Sequence, residues 1–458
     1  MAEPSGSTLL PTTTRALAHR VATAQHDGRA PSVVSGVVRD GALAWSGGAG
    51  GVGGGGPAGT AYRIGSITKT FTAVLVLQVR DEGRLALDDQ IGSHLPEVGG
   101  TATVLQLLSH SAGLTSELPG AWWERVEGTD FAGVARAMTG EPVRLAAGSR
   151  LHYSNVGFAL LGEVVARLRG TSWTDALQTQ LLGPLGLSRT TTGPQPPYAE
   201  GWATHPHADV LLPEPLTDTR AMAPAGQLWS TVTDLGRWLR FLAGDTAGLL
   251  HPDTATEMTR PASVDDAGTW TTAFGLGLQL HRSDGRSLVG HGGSMPGFVA
   301  SVLVDPSSGD GAVVLANATS GVAVSRTALD LLRLLAEHEP PMPRAWRPVE
   351  VATELLELTG TWYWGTSPSV LSVVGSERLR LDAVGGGRSS EFRPSGPDTW
   401  VGLDNYYAGE RLQVVRDAAG RPRHLDVATF VYTRQPYEAA AAIPGGVDPA
   451  GWSAPQPD

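Results

Sequence analysis

Tyr62-Arg63-Ile64-Gly65-Ser66-Ile67-Thr68-Lys69-Thr70-Phe71 is the stretch around which the chain is read. Lys69 is the sole lysine in 458 residues, and every other one of the 34 basic residues is arginine. Arginine keeps its charge at any workable pH, whereas a desolvated lysine amine can lose its proton. A single lysine, three positions after a serine and at the head of an apolar run, points to an amine that must be neutral. Spaced i and i+3, the two side chains meet on one helix face. This predicts Ser66 as nucleophile and Lys69 as its base. An ordinary helix surface is the competing reading of any Ser-x-x-Lys, so further elements are required. From residue 66 to 80 apolar positions run nearly all the way round, which predicts a helix buried at the centre of a domain and ended by Gly83.

Upstream, residues 14–24 have helical periodicity, and residues 33–39 and 42–45 read as strands joined by an Asp40-Gly41 hairpin turn. Residues 47–56 read as a flexible glycine-rich loop, without the Gly-Lys-Ser/Thr ending that grips phosphate. Downstream, helical patterns cover residues 104–108, 131–138, 156–168, 173–182 and 233–242. Strand patterns fill residues 274–316, and helix returns at 322–337. Strands at both ends with helices between predict a sheet whose N- and C-terminal segments meet, with an inserted helical lobe. This first domain is assigned to residues 1–338, followed by a proline-rich linker at 339–348. Short alternating segments within residues 361–433 predict a small antiparallel barrel or sandwich, a domain of residues 349–434. Residues 435–458 are expected to be a disordered tail.

Composition narrows the function. With 41% hydrophobic and 17% charged residues a substantial core is expected and global disorder is not. A net charge of −11 with no basic stripe argues against a nucleic-acid partner. The absence of cysteine removes disulfides, thiolate metal sites and cysteine nucleophiles together. The twelve histidines lack ligand spacing, so neither a metal nor another cofactor is expected. The first thirty residues hold no apolar block of signal length, and no later run reaches the roughly 18–20 apolar residues of a membrane span. The expected location is the cytoplasm, with no membrane partner.

Two further motifs can complete a site. In Tyr153-Ser154-Asn155, at a helix entrance, Tyr153 can relay a proton and Asn155 can orient a substrate amide; the plain alternative is a helix N-cap. In His291-Gly292-Gly293-Ser294 the paired glycines let a substrate backbone lie along a strand, and the Ser294 N–H can donate to an oxyanion. A turn with a surface histidine is the alternative there.

In this order the three motifs resemble those of the penicillin-recognising serine enzymes: penicillin-binding proteins, class C β-lactamases and their esterase and peptidase relatives. The family patterns Ser-x-x-Lys, Tyr-x-Asn and Lys-Thr-Gly or His-x-Gly match at Ser66/Lys69, Tyr153/Asn155 and His291/Gly293. Leu107-Leu108-Ser109-His110-Ser111-Ala112-Gly113-Leu114 and Pro224-Ala225-Gly226-Gln227-Leu228-Trp229-Ser230 resemble it too. The resemblance implies an α/β (α+β) β-lactamase/transpeptidase-like domain, with an antiparallel sheet flanked by helices. It implies an acyl-enzyme on Ser66, Lys69 and Tyr153 as general bases, and the amides of Ser66 and Ser294 as oxyanion hole. His291 stands where many β-lactamases carry a lysine that attracts the substrate carboxylate; a histidine is a weaker anchor and a possible shuttle.

Among the branches of this family the chain is most similar to the stand-alone penicillin-binding-protein-type thioesterases, in which a lipocalin-like barrel follows the serine domain. That resemblance implies off-loading and head-to-tail cyclisation of a nonribosomal peptide with a C-terminal D-residue, the peptide or ester substrate being presented on a carrier protein. The alternatives are a β-lactamase-type carboxylesterase, a D-amino-acid peptidase or amidase, and a silent ligand-sensing protein of the same fold. Under the cyclase reading Arg434 is expected to reach a substrate carboxylate or carbonyl, with a surface arginine as the alternative. Trp122 and Trp123 are expected to wall the cleft, or else to be core aromatics.

Overall fold

Both ends of the first unit contribute to one sheet in the computed structural model, which describes residues 9–139, 143–265, 272–340, 342 and 345–436. Helix α1 (Pro11–Asp27) leads into β1 (Ser32–Arg39) and β2 (Ala42–Gly50). Their two-residue turn has Asp40 and Gly41 both at positive φ, the conformation that matches the twist of a hairpin. Next come α2 (Thr68–Asp81), α3 (Asn155–Arg169) and α4 (Val232–Leu242). The chain re-enters the sheet through β3 (Ser263–Val264), β4 (Thr272–Phe274), β5 (Gln279–Ser283) and β6 (Arg286–Met295). It continues with β7 (Phe298–Val304) and β8 (Gly311–Ala316), and α5 (Val324–His338) follows. The eight strands lie in the order β2-β1-β8-β7-β6-β5-β4-β3. β1 pairs antiparallel with β8, Val33 opposite Ala316, so the two ends of the unit meet with the helical lobe inserted between them.

Strand β1 is apolar on both faces because both are covered. Val34 and Val38 join one core with Phe71, Leu75, Leu160 and Leu235 from α2, α3 and α4. Val33 and Val37 join the other, with Leu17 and Val21 of α1 and Leu331 and Leu335 of α5. The period-two alternation of a strand thus splits one valine run between two cores, each such side chain contributing about 1.5–3 kcal/mol. Helix α2 is buried at every position from Thr68 to Val79, as its all-round apolarity predicts, and Lys69 is the one charged residue among them. The stretch Pro224 to Ser230 is strapped along it: Thr72 Oγ1 donates to Pro224 O at 2.9 Å, and Leu228 N donates to Thr68 Oγ1 at 3.1 Å.

Two local expectations change. Ser66 does not begin the α-helix but sits in a 3-10 turn, Gly65–Ile67, ahead of α2, because Gly65 turns the chain at φ +52. The first part of the glycine-rich stretch is strand: β2 continues to Gly50, opposite Ser32. A ladder requires only backbone groups, so side-chain poverty did not prevent pairing.

The second unit begins at Met342. Its strands are β9 (Gly360–Trp364), β10 (Ser367–Val374), β11 (Arg378–Ala383) and β12 (Ser390–Gly396). They continue as β13 (Thr399–Gly402), β14 (Arg411–Arg416), β15 (Pro422–Val427) and β16 (Phe430–Thr433), closing a barrel in which Tyr363 pairs with Thr433. Trp362, Leu371, Leu379, Leu381, Phe392 and Leu425 are fully buried inside it. The interior is therefore packed with side chains. The expected tail lies outside the described residues beyond position 436.

Candidate active site

Ser66 is half-buried, in a wall of buried neighbours. Lys69 is completely buried one turn on, and its Nζ lies 3.0 Å from Ser66 Oγ, 2.6 Å from Asn155 Oδ1 and 2.7 Å from Ala225 O. Burial lowers the amine to about 7, while the charges of Glu117 and Glu124 act to raise it. A neutral amine has two N–H groups and one lone pair. The two acceptor-only contacts, Asn155 Oδ1 and Ala225 O, take the two N–H groups and leave the lone pair for the Ser66 hydroxyl. The site is arranged for a base.

Asn155 enters this set by its amide orientation, and Glu117 fixes that orientation. Asn155 Nδ2 donates to Glu117 Oε1 at 2.7 Å, so Oδ1 must be the atom turned to Lys69. Its neighbour Ser154 is the N-cap of α3, accepting from Gly157 N at 3.1 Å. The N-cap reading of this motif holds for Ser154, while the Asn155 amide is turned to Lys69 and Glu117.

Tyr153 lies beside Ser66, and the Lys69 ammonium position lies 5.0 Å from its ring centroid. Desolvation pushes its phenol above the ordinary value although the Ser66 contact opposes this, so it rests protonated. It can hand over a proton before it can accept one.

Strand β6 brings the third motif against the nucleophile. A Cβ on Gly293 would lie 2.0 Å from Ile64 O and 3.2 Å from Ser66 N, and one on Gly65 would lie 2.6 Å from Ser294 N. Only paired glycines allow this approach, and it sets the amides of Ser66 and Ser294 beside one junction. His291 is buried, and its Nδ1 donates to Gly292 O at 2.5 Å. That leaves Nε2 as a bare acceptor, which has no hydrogen-bond partner. Burial lowers its pKa to about 3, assisted by the Lys69 charge, so the imidazole is neutral and offers no cation to a substrate carboxylate.

The sequence matches the beta-lactamase family over residues 17–337. The chain belongs to the beta-lactamase family. Residues 351–434 match a domain of unknown function, DUF7586. Penicillin-binding protein 4 of Amycolatopsis lactamdurans is 30% identical over 331 residues, which span 66% of this chain and 84% of that protein. A D-stereospecific amidohydrolase from a Streptomyces species superposes with a TM-score of 0.60 at 27% identity, covering 72% of this chain and 99% of its own. SurE superposes with a TM-score of 0.57 at 25% identity, covering 93% and 99%, and has also been solved with D-Leu.

Trp122, Trp123 and Arg434 are the remaining residues of this beta-lactamase-family chain expected to meet substrate. Trp123 is buried and Trp122 exposed, yet both use the indole N–H to hold a carboxylate: Trp123 Nε1 to Glu117 Oε2 at 2.6 Å, Trp122 Nε1 to Glu124 Oε2 at 2.9 Å. Arg434 is committed within the barrel. Its guanidinium lies 3.9 Å from the Trp362 ring centroid and donates to the carbonyls of Glu357, Thr359 and Thr361. Three of its N–H donors are thus directed to carbonyls of the barrel's own backbone. Three contributors were not singled out from the sequence: Glu117, the Ala225 carbonyl and His110. Ala225 and His110 lie in stretches whose family resemblance was visible, whereas Glu117 gave no signal. Among the described residues no group of three or more His, Asp or Glu is arranged to hold a metal ion, and no helix is long and apolar enough to cross a membrane.

Proposed function

We propose that this chain is a serine acyltransferase that takes a peptidyl group with a D-configured C-terminal residue from a thioester or ester and cyclises it head to tail. The observation that carries the serine chemistry is the Lys69 amine, with both N–H groups engaged and its lone pair left for Ser66 Oγ. Lys69 accepts the Oγ proton as Oγ attacks the acyl carbon. The N–H groups of Ser66 and Ser294 receive the oxyanion, and Tyr153 protonates the leaving group. The incoming amine then loses its proton through Tyr153 and Lys69 as it displaces Ser66. A neutral His291 suits a donor without a free carboxylate next to the scissile bond, as in a carrier-bound thioester. The superposition on SurE across both units, and the D-Leu in one SurE structure, support the choice of substrate. A carrier protein of a nonribosomal synthetase would present it, in the cytoplasm.

A second reading, a D-amino-acid amidase, is favoured by the likeness to the Streptomyces D-stereospecific amidohydrolase. One assay separates the two. A linear peptide thioester with a C-terminal D-residue should give macrocycle with the wild-type chain, with little release from the L-epimer. Linear acid as sole product, with turnover of D-amino-acid amides, would replace the cyclase by the amidase.

A further inference from the structure

The barrel of the second unit is packed with side chains, so the place it offers a ligand is a mouth rather than the interior. Its strands β9 to β16 neighbour one another in chain order, which puts alternate connections at the same end. At one end these are residues 365–366, 384–389, 403–410 and 428–429, and each carries or adjoins one member of a single cluster. Arg388 is its centre. The guanidinium carbon lies 4.3 Å from the Tyr406 ring centroid, 4.5 Å from that of Phe430 and 5.1 Å from that of Trp364. Such contacts occupy the faces of a guanidinium and leave its in-plane N–H edges to an acceptor. Arg388 nevertheless forms no hydrogen bond or ion pair among the described residues, and its Nη1 is buried without a partner. At the opposite end the arginines are paired, Arg416 with Asp398 at 2.8 Å and Arg421 with Asp417 at 3.0 Å.

The phenols behind the cluster repeat the pattern. Tyr407 lies 6.3 Å from Phe430 between ring centroids, and its buried hydroxyl is 3.0 Å from that of Tyr432. Burial raises the Tyr432 phenol, and the Arg388 charge opposes this. One hydroxyl donates to the other, which leaves one O–H donor without an acceptor among the described residues. Around the rim Trp364, Val384, Leu403 and Tyr406 expose apolar surface. We infer that this mouth binds the carboxylate of a ligand with an apolar body. The carboxylate takes the planar fork of Arg388, and the body lies on Trp364 and Tyr406. This binding requires no activity of Ser66, so it stands or falls apart from the acyl-enzyme reading.

The test titrates the full chain, labelled with fluorotryptophan, by fluorine NMR, with the Trp364 signal assigned by Trp364→Phe. The probes are phenylpropionate, its neutral amide and phenyl phosphate. Phenylpropionate should shift the Trp364 signal at about millimolar concentration and bind about tenfold more tightly than the amide. Arg388→Gln should abolish that preference and leave the affinity for the amide unchanged. Arg388→Lys, which keeps the charge without the fork, should retain part of it and decides the matter should Arg388→Gln disturb the loop. Equal binding of acid and amide, or a preference that survives Arg388→Gln, would overturn the site. So would a Trp364 signal unmoved by any probe. Phenyl phosphate bound about tenfold more tightly than the acid would overturn the assignment to a carboxylate.

Discussion

His110 holds Tyr153 from three directions. Its ring stacks on the Tyr153 ring, with 4.1 Å between centroids, its Nδ1 accepts from Ser154 N at 3.1 Å, and its carbonyl accepts from His152 N at 2.7 Å. Both peptide neighbours of the tyrosine are thus tied to one histidine, which itself sits at φ +55. His110 is a positioning residue. His110→Ala should lower kcat about 10–100-fold, the scale of a 1 Å misplacement, with KM little changed. His110→Asn, which tolerates the left-handed backbone and keeps an acceptor for Ser154 N, should recover part of the loss. A rise in KM with kcat untouched would contradict this.

Lys69→Arg tests the base. Arginine stays protonated in a protein, so the Ser66 hydroxyl loses its proton acceptor. Acylation should fall by about 10²–10⁴, measured as burst release from a p-nitrophenyl ester, with circular dichroism reporting the fold. Lys69→Met provides a neutral control should the larger guanidinium disturb packing. Wild-type acylation by either variant would leave Ser66 activated by some other group.

The pH profile follows from the same amine. With its pKa lowered to about 7, Lys69 becomes a base as pH rises through that value, so kcat/KM on an uncharged ester should climb there and then level. Glu124 acts to raise this pKa, so Glu124→Gln should move the limb to lower pH. A profile still climbing near the ordinary lysine value of about 10.4 would exclude Lys69 as the base.

Gly293→Ala should separate the strand from the nucleophile. Its Cβ would lie 2.0 Å from Ile64 O, so β6 must retreat and take the Ser294 amide with it. A stability loss of about 1–3 kcal/mol in urea unfolding is expected. The accompanying loss of kcat should approach about 100-fold, and near-normal turnover would show that the Ser294 amide is not needed there.

Much of this arrangement could be read in the chain before its fold, because its signals are local. The i, i+3 spacing of Ser66 and Lys69, the all-round apolarity of α2 and the double glycine at 292–293 each refer to a short stretch. The remainder depends on loops folding back. Glu117 lies between Ser116 and Leu118 with nothing to mark it, and acquires its role when its loop brings it to Asn155, 38 residues away. His110 meets Ser154 across 44 residues, through a backbone conformation that its residue type does not favour. Trp122 and Trp123 read as apolar bulk, and the direction of their indole N–H groups could only come from the fold.

Helix α2 is buried at every position from Thr68 to Val79. A base mounted on such an element has no freedom to adapt, since any shift of Lys69 would open cavities on every side of the helix. Change of substrate must therefore come from the periphery, above all from the Glu117–Glu124 stretch, which is partly solvent-facing. Directed diversification of that segment, with residues 62–81 left untouched, is the economical route to new acyl acceptors. Lys69 is the fixed axle about which the rest of the pocket can be exchanged.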